Sequence, residues 1–289
     1  MEQIKKVLIL GCRGMAGHVI KAYLEGIEAF ETWGLARDVE HGNNIINLDI
    51  YDTQELEGIL NSGCFDTVIN CIGLLNDTAE NNPELAIWVN SYFPHLLASF
   101  GAKYSFKLIH ISTDCVFSGK EGGYTEDSHK NGIGFYAQSK ALGEVVNSRD
   151  LTFRTSIIGP ELKRNGIGLF HWFMNQTDEI SGYNDAIWSG VTTIELARVV
   201  ECSIRKNLTG LHHVTNNNSI CKYDLIRLFK KYTAKDINII AVGGKKSDKS
   251  FIDTKKLLDY EIPSYDQMIF DMVELTKKNN SLYPHYNIK

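Results

Sequence analysis

Short apolar runs alternate with amphipathic stretches along the first half of the chain, and this rhythm predicts strands separated by helices. Lys6–Leu10 reads as a buried strand and His18–Glu25 as the helix behind it. Thr32–Ala36 and Asn44–Leu48 follow as strands, then a helix over Thr53–Leu60 and a fourth strand over Asp66–Cys71. Pro83–Phe100 carries one long helical pattern, with Pro83 suited to its first turn and Pro94 predicting a kink or restart. Leu108–Ile111 and Leu151–Thr155 complete the series, and Ile158-Gly-Pro160 ends the last strand. Alternation of this kind implies an α/β fold, a Rossmann doubly wound parallel sheet.

Beyond Pro160 the rhythm changes. Gly166–Gln176 is an aromatic-rich helix, Asn184–Gly190 a loop, Thr193–Val200 a helix, Leu211–Thr215 a strand and Lys222–Tyr232 a helix. Ile237–Val242 reads as a strand and Tyr265–Lys277 as the last helix. No repeat or linker-like run divides the chain. The expected organisation is a dinucleotide-binding domain at 1–160, rejoined by 188–215, with a smaller interleaved C-terminal lobe from 161–187 and 216–289.

Composition narrows the classes. The chain has 289 residues, 43% hydrophobic and 22% charged, as an ordinary soluble protein of this size does. A net charge of −5 without a Lys/Arg block argues against nucleic acid. No apolar run reaches the roughly 18 residues of a membrane span, and Met1-Glu-Gln-Ile-Lys-Lys6 leads into a strand rather than a signal-peptide core. A cytoplasmic protein with no membrane partner is expected. The six cysteines (Cys12, Cys64, Cys71, Cys115, Cys202, Cys221) include no C-x-x-C pair and no zinc spacing, so no metal is expected. His110 falls inside a strand and reads as a satisfied core residue, while His212 and His213 point to opposite faces and cannot readily share a metal.

Two stretches carry chemistry. Gly11-Cys-Arg13-Gly14-Met15-Ala-Gly17 lies between the first strand and its helix, where glycines admit a pyrophosphate and the helix N-terminus offers N–H groups and positive dipole. Arg37 follows the second strand, where NAD enzymes usually carry an acid. With Arg13 it favours NADPH over NADH by clamping a 2′-phosphate, although Asp38 is the neighbouring counter-signal. Asp49 and Ile50 are placed to touch an adenine, and Cys71, Ile72 and Gly73 to pass the central part of the cofactor.

The second stretch is Phe106–Lys140. Ser112-Thr113-Asp114-Cys115 sits at the carboxyl end of a strand, where open α/β sheets bind ligands. Tyr136-Ala-Gln-Ser-Lys140 then opens a helical pattern with Tyr and Lys on one face. A free phenol has a pKa of about 10, and an ammonium one turn away favours its ionised form. Thr113 would hydrogen-bond a carbonyl or alcohol while Tyr136 moves a proton, which is the chemistry of carbonyl reduction. Tyr136 and Lys140 are thus expected at both substrate and cofactor. Taken alone, Tyr-x-x-x-Lys also describes many solvated helix faces.

The glycine turn, the strand-end Ser112-Thr113-Asp114, Tyr136-x-x-x-Lys140 before Gly143-Glu144, and Arg154-Thr155-Ser156 through Gly159-Pro160 together resemble the extended short-chain dehydrogenase/reductase superfamily. Ile111–Gly119, Gly190–Ala197 and Phe251–Lys256 are similar to the dTDP-4-dehydrorhamnose reductase family. The resemblance implies a nicotinamide cofactor, a nucleotide-activated 4-keto sugar held by the C-terminal lobe, a homodimer through helices such as Pro83–Phe100, and catalytic roles for Thr113, Tyr136 and Lys140. Two positions depart from it: Cys115 stands where rhamnose-forming reductases usually carry tyrosine, and Ile157 where they often carry tryptophan. Cys115 resembles instead the cysteine of GDP-fucose synthase, two residues after the catalytic hydroxyl, which implies proton exchange next to the ketone with His171 as partner acid. The expected substrate set is Thr113, Asp114, Cys115, His171 and Trp188. A nucleotide-sugar epimerase, or a non-catalytic nucleotide-binding regulatory subunit of the same fold, stays open as an alternative.

Overall fold

The computed structural model describes residues 3–288 apart from 41, 43, 245 and 257–259, so Met1 and Glu2 of the N-terminal run lie outside the described residues. The chain runs β1 (Lys5–Leu10), α1 (Met15–Glu25), β2 (Phe30–Ala36), β3 (Ile45–Asn47), α2 (Thr53–Gly63), β4 (Thr67–Asn70) and α3 (Asn76–Asn81). After α4 (Pro83–Ala86), a π-helical turn (Ile87–Tyr92) and α5 (Phe93–Tyr104) come β5 (Lys107–Ile111), α6 (Phe135–Leu142), β6 (Leu151–Arg154) and β7 (Ile157–Ile158). The second half holds α7 (Leu169–Met174), β8 (Glu179–Tyr183), β9 (Ala186–Trp188), β10 (Val191–Thr192), α8 (Thr193–Arg205) and β11 (Gly210–His213). It closes with β12 (Ile220–Cys221), α9 (Lys222–Thr233), β13 (Asn238–Val242), β14 (Ser247–Asp248) and α10 (Tyr265–Lys278).

Seven strands form one sheet in the order β11-β6-β5-β4-β1-β2-β3, all parallel. The alternation along β1 shows why it folds so. Val7 and Ile9 join one core with Val19 and Ile20 of α1 and Val199 and Val200 of α8, whereas Leu8 and Leu10 join the other with Leu56 and Leu60 of α2 and Leu97 of α5. A strand stretch buried on both faces must be apolar, and Val7–Leu10 are, whereas Lys5 and Lys6 occupy the less buried start of β1. Strand order reverses between β1 and β4, which opens a crevice beyond their carboxyl ends. Three small sheets, β10-β7, β12-β9-β14 and β13-β8, build the rest.

Several expectations need correction. The first helix begins at Met15 rather than His18, because Gly17 lets its opening turn pack on the strand end: a Cβ there would stand 2.3 Å from the Gly11 carbonyl oxygen. The restart expected near Pro94 is present, since α5 begins at Phe93 with Pro94 in its first turn, but a π turn over Ile87–Tyr92 precedes it that the sequence did not suggest. Asn184–Gly190 is not wholly loop, since Ala186–Trp188 pairs with β12 and β14. His110 is only half satisfied: Nδ1 meets Asn70 Nδ2 at 3.2 Å, while buried Nε2 has no partner. Asn70 must donate there, so Nδ1 accepts and Nε2 carries the proton.

Candidate active site

Gly11 leaves β1 at φ +80°, a left-handed turn suited to glycine, and the chain then enters α1 through Gly14. No side chain caps this helix, so its first N–H groups remain available to a ligand. Arg13, Gly14 and Met15 form one end of a cavity of about 470 Å³ in the crevice between β1 and β4. Cys71, Ile72 and Gly73 line it from the end of β4, and Asn70 Oδ1 fixes that turn by accepting the Ile72 N–H at 3.0 Å. An uncapped helix start behind a glycine turn that a Cβ would fill fits a dinucleotide pyrophosphate.

The same cavity is lined by Ser112, Thr113, Asp114, Cys115, Tyr136 and Lys140. Thr113 ends the extended chain after β5 and caps a short 3₁₀ turn (Asp114–Val116): Oγ1 accepts the Cys115 N–H and donates to Asp114 Oδ1, each at 3.1 Å. Asp114 is buried, and burial raises its pKa. Tyr136 and Lys140 share one face of α6. Lys140 is buried with Nζ donating to the Ile111 carbonyl at 2.8 Å, and burial drops its pKa to about 8 against the pull of Glu144 and Cys71.

The expected tuning of Tyr136 needs correction. Burial, followed by the neighbouring Cys115, raises the phenol's pKa, with a hydrogen bond to Thr113 opposing; Lys140 is not among the groups that shift it. Both charged forms are disfavoured in the same enclosed place, and the ammonium turns to a carbonyl rather than to the phenol. The phenol therefore keeps its proton, which is the state a donor to a carbonyl oxygen requires.

Cys115 has a partner that local sequence does not reveal: Lys249 Nζ lies 3.2 Å from its Sγ. Burial raises the thiol's pKa, Asp114 adds to this, and the Lys249 ammonium opposes it. Lys249 is delivered by β14 and the segment after it, which lies along the loop following Cys115. Asp248 N–H donates to Gly119 O at 2.7 Å and Tyr124 N–H to Ser250 O at 3.0 Å.

Other expected residues lie elsewhere. His171 is buried in α7 outside the cavity lining, with Nδ1 2.9 Å from the Tyr286 hydroxyl, because α7 turns that face into an aromatic cluster. Trp188 does not line the cavity either; it is buried on β9, and its Nε1 donates to Ser156 Oγ at 2.8 Å, which does. Arg37 is exposed beyond β2 with Nη1 3.4 Å from Asp49 Oδ2, and Ile50 is buried. Arg37, Asp49 and Ile50 stand outside the cavity lining, as do Gly11 and Gly17, which shape the turn without facing it.

Sequence reasoning missed the supports. Glu144 accepts from Arg154 through two bonds of 2.8 Å and from Ser112 Oγ at 2.9 Å, so a buried ion pair braces the residue next to Thr113. Its spacing of one helical turn from Lys140 was the available signal. Asn90, on the π turn, bonds both backbone groups of Leu74 and the hydroxyl of Ser139, tying the β4 turn to α6. Among the described residues no group of three or more His, Cys, Asp or Glu could hold a metal ion.

A parallel Rossmann sheet whose glycine turn, strand-end threonine and Tyr/Lys helix face one cavity defines an NAD(P)-dependent oxidoreductase of the extended short-chain dehydrogenase/reductase class. Within that class the chain belongs to the family of the RmlD substrate binding domain, whose model matches residues 5–257. It is 26% identical over 231 residues, 76% of each protein, to a dTDP-4-keto-6-deoxy-D-glucose reductase of Streptomyces niveus. It is 40% identical over 102 residues, 33% of each, to a dTDP-4-dehydrorhamnose reductase of Mycobacterium tuberculosis. The structure of a dTDP-4-dehydrorhamnose reductase of Bacillus anthracis in complex with NADP superposes with a TM-score of 0.80 at 22% identity, covering 94% of this chain and 99% of that one.

Proposed function

We propose that the protein reduces the 4-keto group of a nucleotide-activated 4-keto-6-deoxy sugar with NADPH. The observation that carries this reading is that Thr113, Tyr136 and Lys140 line one cavity with the glycine turn. Arg13, Gly14, Met15 and Cys71–Gly73 would hold the dinucleotide. When bound, the nicotinamide supplies the hydride. Thr113 positions the substrate oxygen, and Tyr136, kept protonated by burial, gives that oxygen its proton. Lys140 fixes the strand end through Ile111 and places positive charge behind the reacting groups. A groove of about 610 Å³ shares Ile167 with the cavity and carries Trp172 and Tyr183, apolar faces suited to the nucleotide base. Leu85, Ile87, Tyr92, Leu142 and Val146 are exposed on or beside α4, the π turn and α6, which supports a homodimer through those helices. No helix among the described residues is long and apolar enough to cross a membrane.

The finer step, proton exchange beside the ketone before reduction, is favoured by the Cys115–Lys249 contact. The ammonium at 3.2 Å from the thiol opposes the rise that burial and Asp114 impose on its pKa, the direction that a thiolate for such an exchange needs. His171, turned away to Tyr286, is not the partner acid in this reading.

The test is oxidation of NADPH followed by absorbance with dTDP-, UDP- and GDP-linked 4-keto sugars, alongside Tyr136→Phe. The variant should retain NADPH binding and lose roughly 10²–10⁴ in kcat, as general-acid removal does. Silence with every keto sugar despite NADPH binding would favour a regulatory subunit.

A further inference from the structure

The segment after α10 takes no part in the chemistry above, yet it reaches both walls of the cleft. Tyr283 is buried with its hydroxyl 2.7 Å from His18 Nε2. His18 Nδ1 lies 2.8 Å from the carbonyl of Gly14, which can only accept, so Nδ1 carries the proton and Nε2 accepts from Tyr283. Burial lowers the pKa of His18 and keeps the ring neutral. Gly14 is the residue at which the phosphate-binding turn becomes α1.

Three residues further on, the Tyr286 hydroxyl accepts the Glu161 N–H at 3.0 Å and lies 2.9 Å from His171 Nδ1. Glu161 Oε1 accepts the Gly168 N–H at 2.6 Å and closes the loop 161–168 on itself. That loop rests on the glycine turn: a Cβ at Gly168 would stand 3.2 Å from Met15 Sδ. Glu161, Leu162, Lys163, Ile167 and Gly168 line the cavity together with the glycine turn and Cys71–Gly73, while neither Tyr283 nor Tyr286 lines it.

We propose that Tyr283 and Tyr286 are positioning residues that pin the two walls of the dinucleotide cleft, one through His18 to the phosphate-binding turn and one through Glu161 to the 161–168 loop. Both pins come from one short stretch, so together they set the width available to a pyrophosphate. His171, expected at the substrate, belongs to this network. The ligand rests on the function proposed above, whereas the pins rest on the hydrogen bonds alone.

Tyr283→Phe, Tyr286→Phe and the double variant keep the rings packed and remove only the hydroxyls. Hydrogen–deuterium exchange should show the Glu161 and Gly168 amides of Tyr286→Phe exchanging about fivefold faster, the scale of one lost hydrogen bond, with β5 unchanged. The NADPH dissociation constant should rise about fivefold for each single variant and further for the double, with kcat at saturating NADPH within twofold of wild type. Unchanged exchange in 161–168 together with unchanged NADPH affinity overturns the proposal. So does loss spread evenly over β5 and kcat, which marks general destabilisation. If the wild-type protein binds no NADPH, the proposed function fails, and the exchange result alone decides the pins.

Discussion

Replacing Glu144 with alanine removes the carboxylate that braces the strand end carrying Ser112 and Thr113. Glu144 and Arg154 side chains are 1% and 3% exposed and joined by two bonds of 2.8 Å. Without the carboxylate, the guanidinium keeps, among the described residues, His213 Nε2 at 3.0 Å, the Glu126 carbonyl at 3.3 Å and the face of Phe117. An unpaired buried charge of this kind costs about 3–5 kcal/mol, which at ~3 °C per kcal/mol lowers Tm by about 10 °C. The double variant Glu144→Leu/Arg154→Met should regain most of that loss, because two apolar groups need no partner. The pH dependence has a definite sign. Burial pushes the Glu144 carboxyl up, but Arg154, Lys130 and Ser112 outweigh it and hold its pKa below the ordinary 4.5. The pair's stabilisation is therefore present above pH 4.5 and lost as pH falls below it through the folded value. Thermal unfolding of wild type, Glu144→Gln and the double variant between pH 7 and pH 4 checks this. The reasoning is refuted if Glu144→Ala costs less than about 1 kcal/mol, or if the gap between wild type and Glu144→Gln widens on acidification.

Arg37→Ala should weaken NADPH binding more than NADH binding, by roughly tenfold in the ratio of dissociation constants, as expected for one charge-assisted bond to a 2′-phosphate; an unchanged ratio removes Arg37 from the cofactor site. Lys140, with a pKa of about 8, should make kcat/KM fall as pH rises past 8, and a profile flat to pH 10 would show that its charge is not needed. Cys115→Ser and Lys249→Met should both slow deuterium uptake into the keto sugar by at least tenfold while leaving NADPH binding intact; uptake at the wild-type rate in either excludes the thiol–ammonium pair from that exchange.

The parts of the site visible in the sequence are those set by neighbours along the chain. Gly11, Gly14 and Gly17 are spaced by the geometry of one turn, and Tyr136 and Lys140 by one helical pitch, so both sets read directly. The apolar runs Val7–Leu10 of β1 and Leu108–Ile109 of β5 were also legible. What escaped depends on contacts between distant segments. Nothing around Lys249 predicts that β14 pairs with β9 and carries it to Cys115, because strand pairing across that separation leaves no local signal. The π turn at Ile87–Tyr92 is hidden for a similar reason: its residues suit an α-helix, and the bonds of Asn90 to Leu74 and Ser139 accompany the departure. His171 was expected as a partner acid beside Cys115 and Trp188 at the substrate, and each found its hydrogen-bond partner inside the protein instead.

The path of the chain carries a consequence for engineering. It leaves the seven-stranded sheet after β6, builds β8, comes back through α8 to add β11 at the sheet's edge, and departs again for β12 and α9. Exchanging the portion outside the seven-stranded sheet with that of a relative therefore cannot be done as a single cassette; it takes several splices, and any cut upstream of β11 leaves β6 as an open, sticky border.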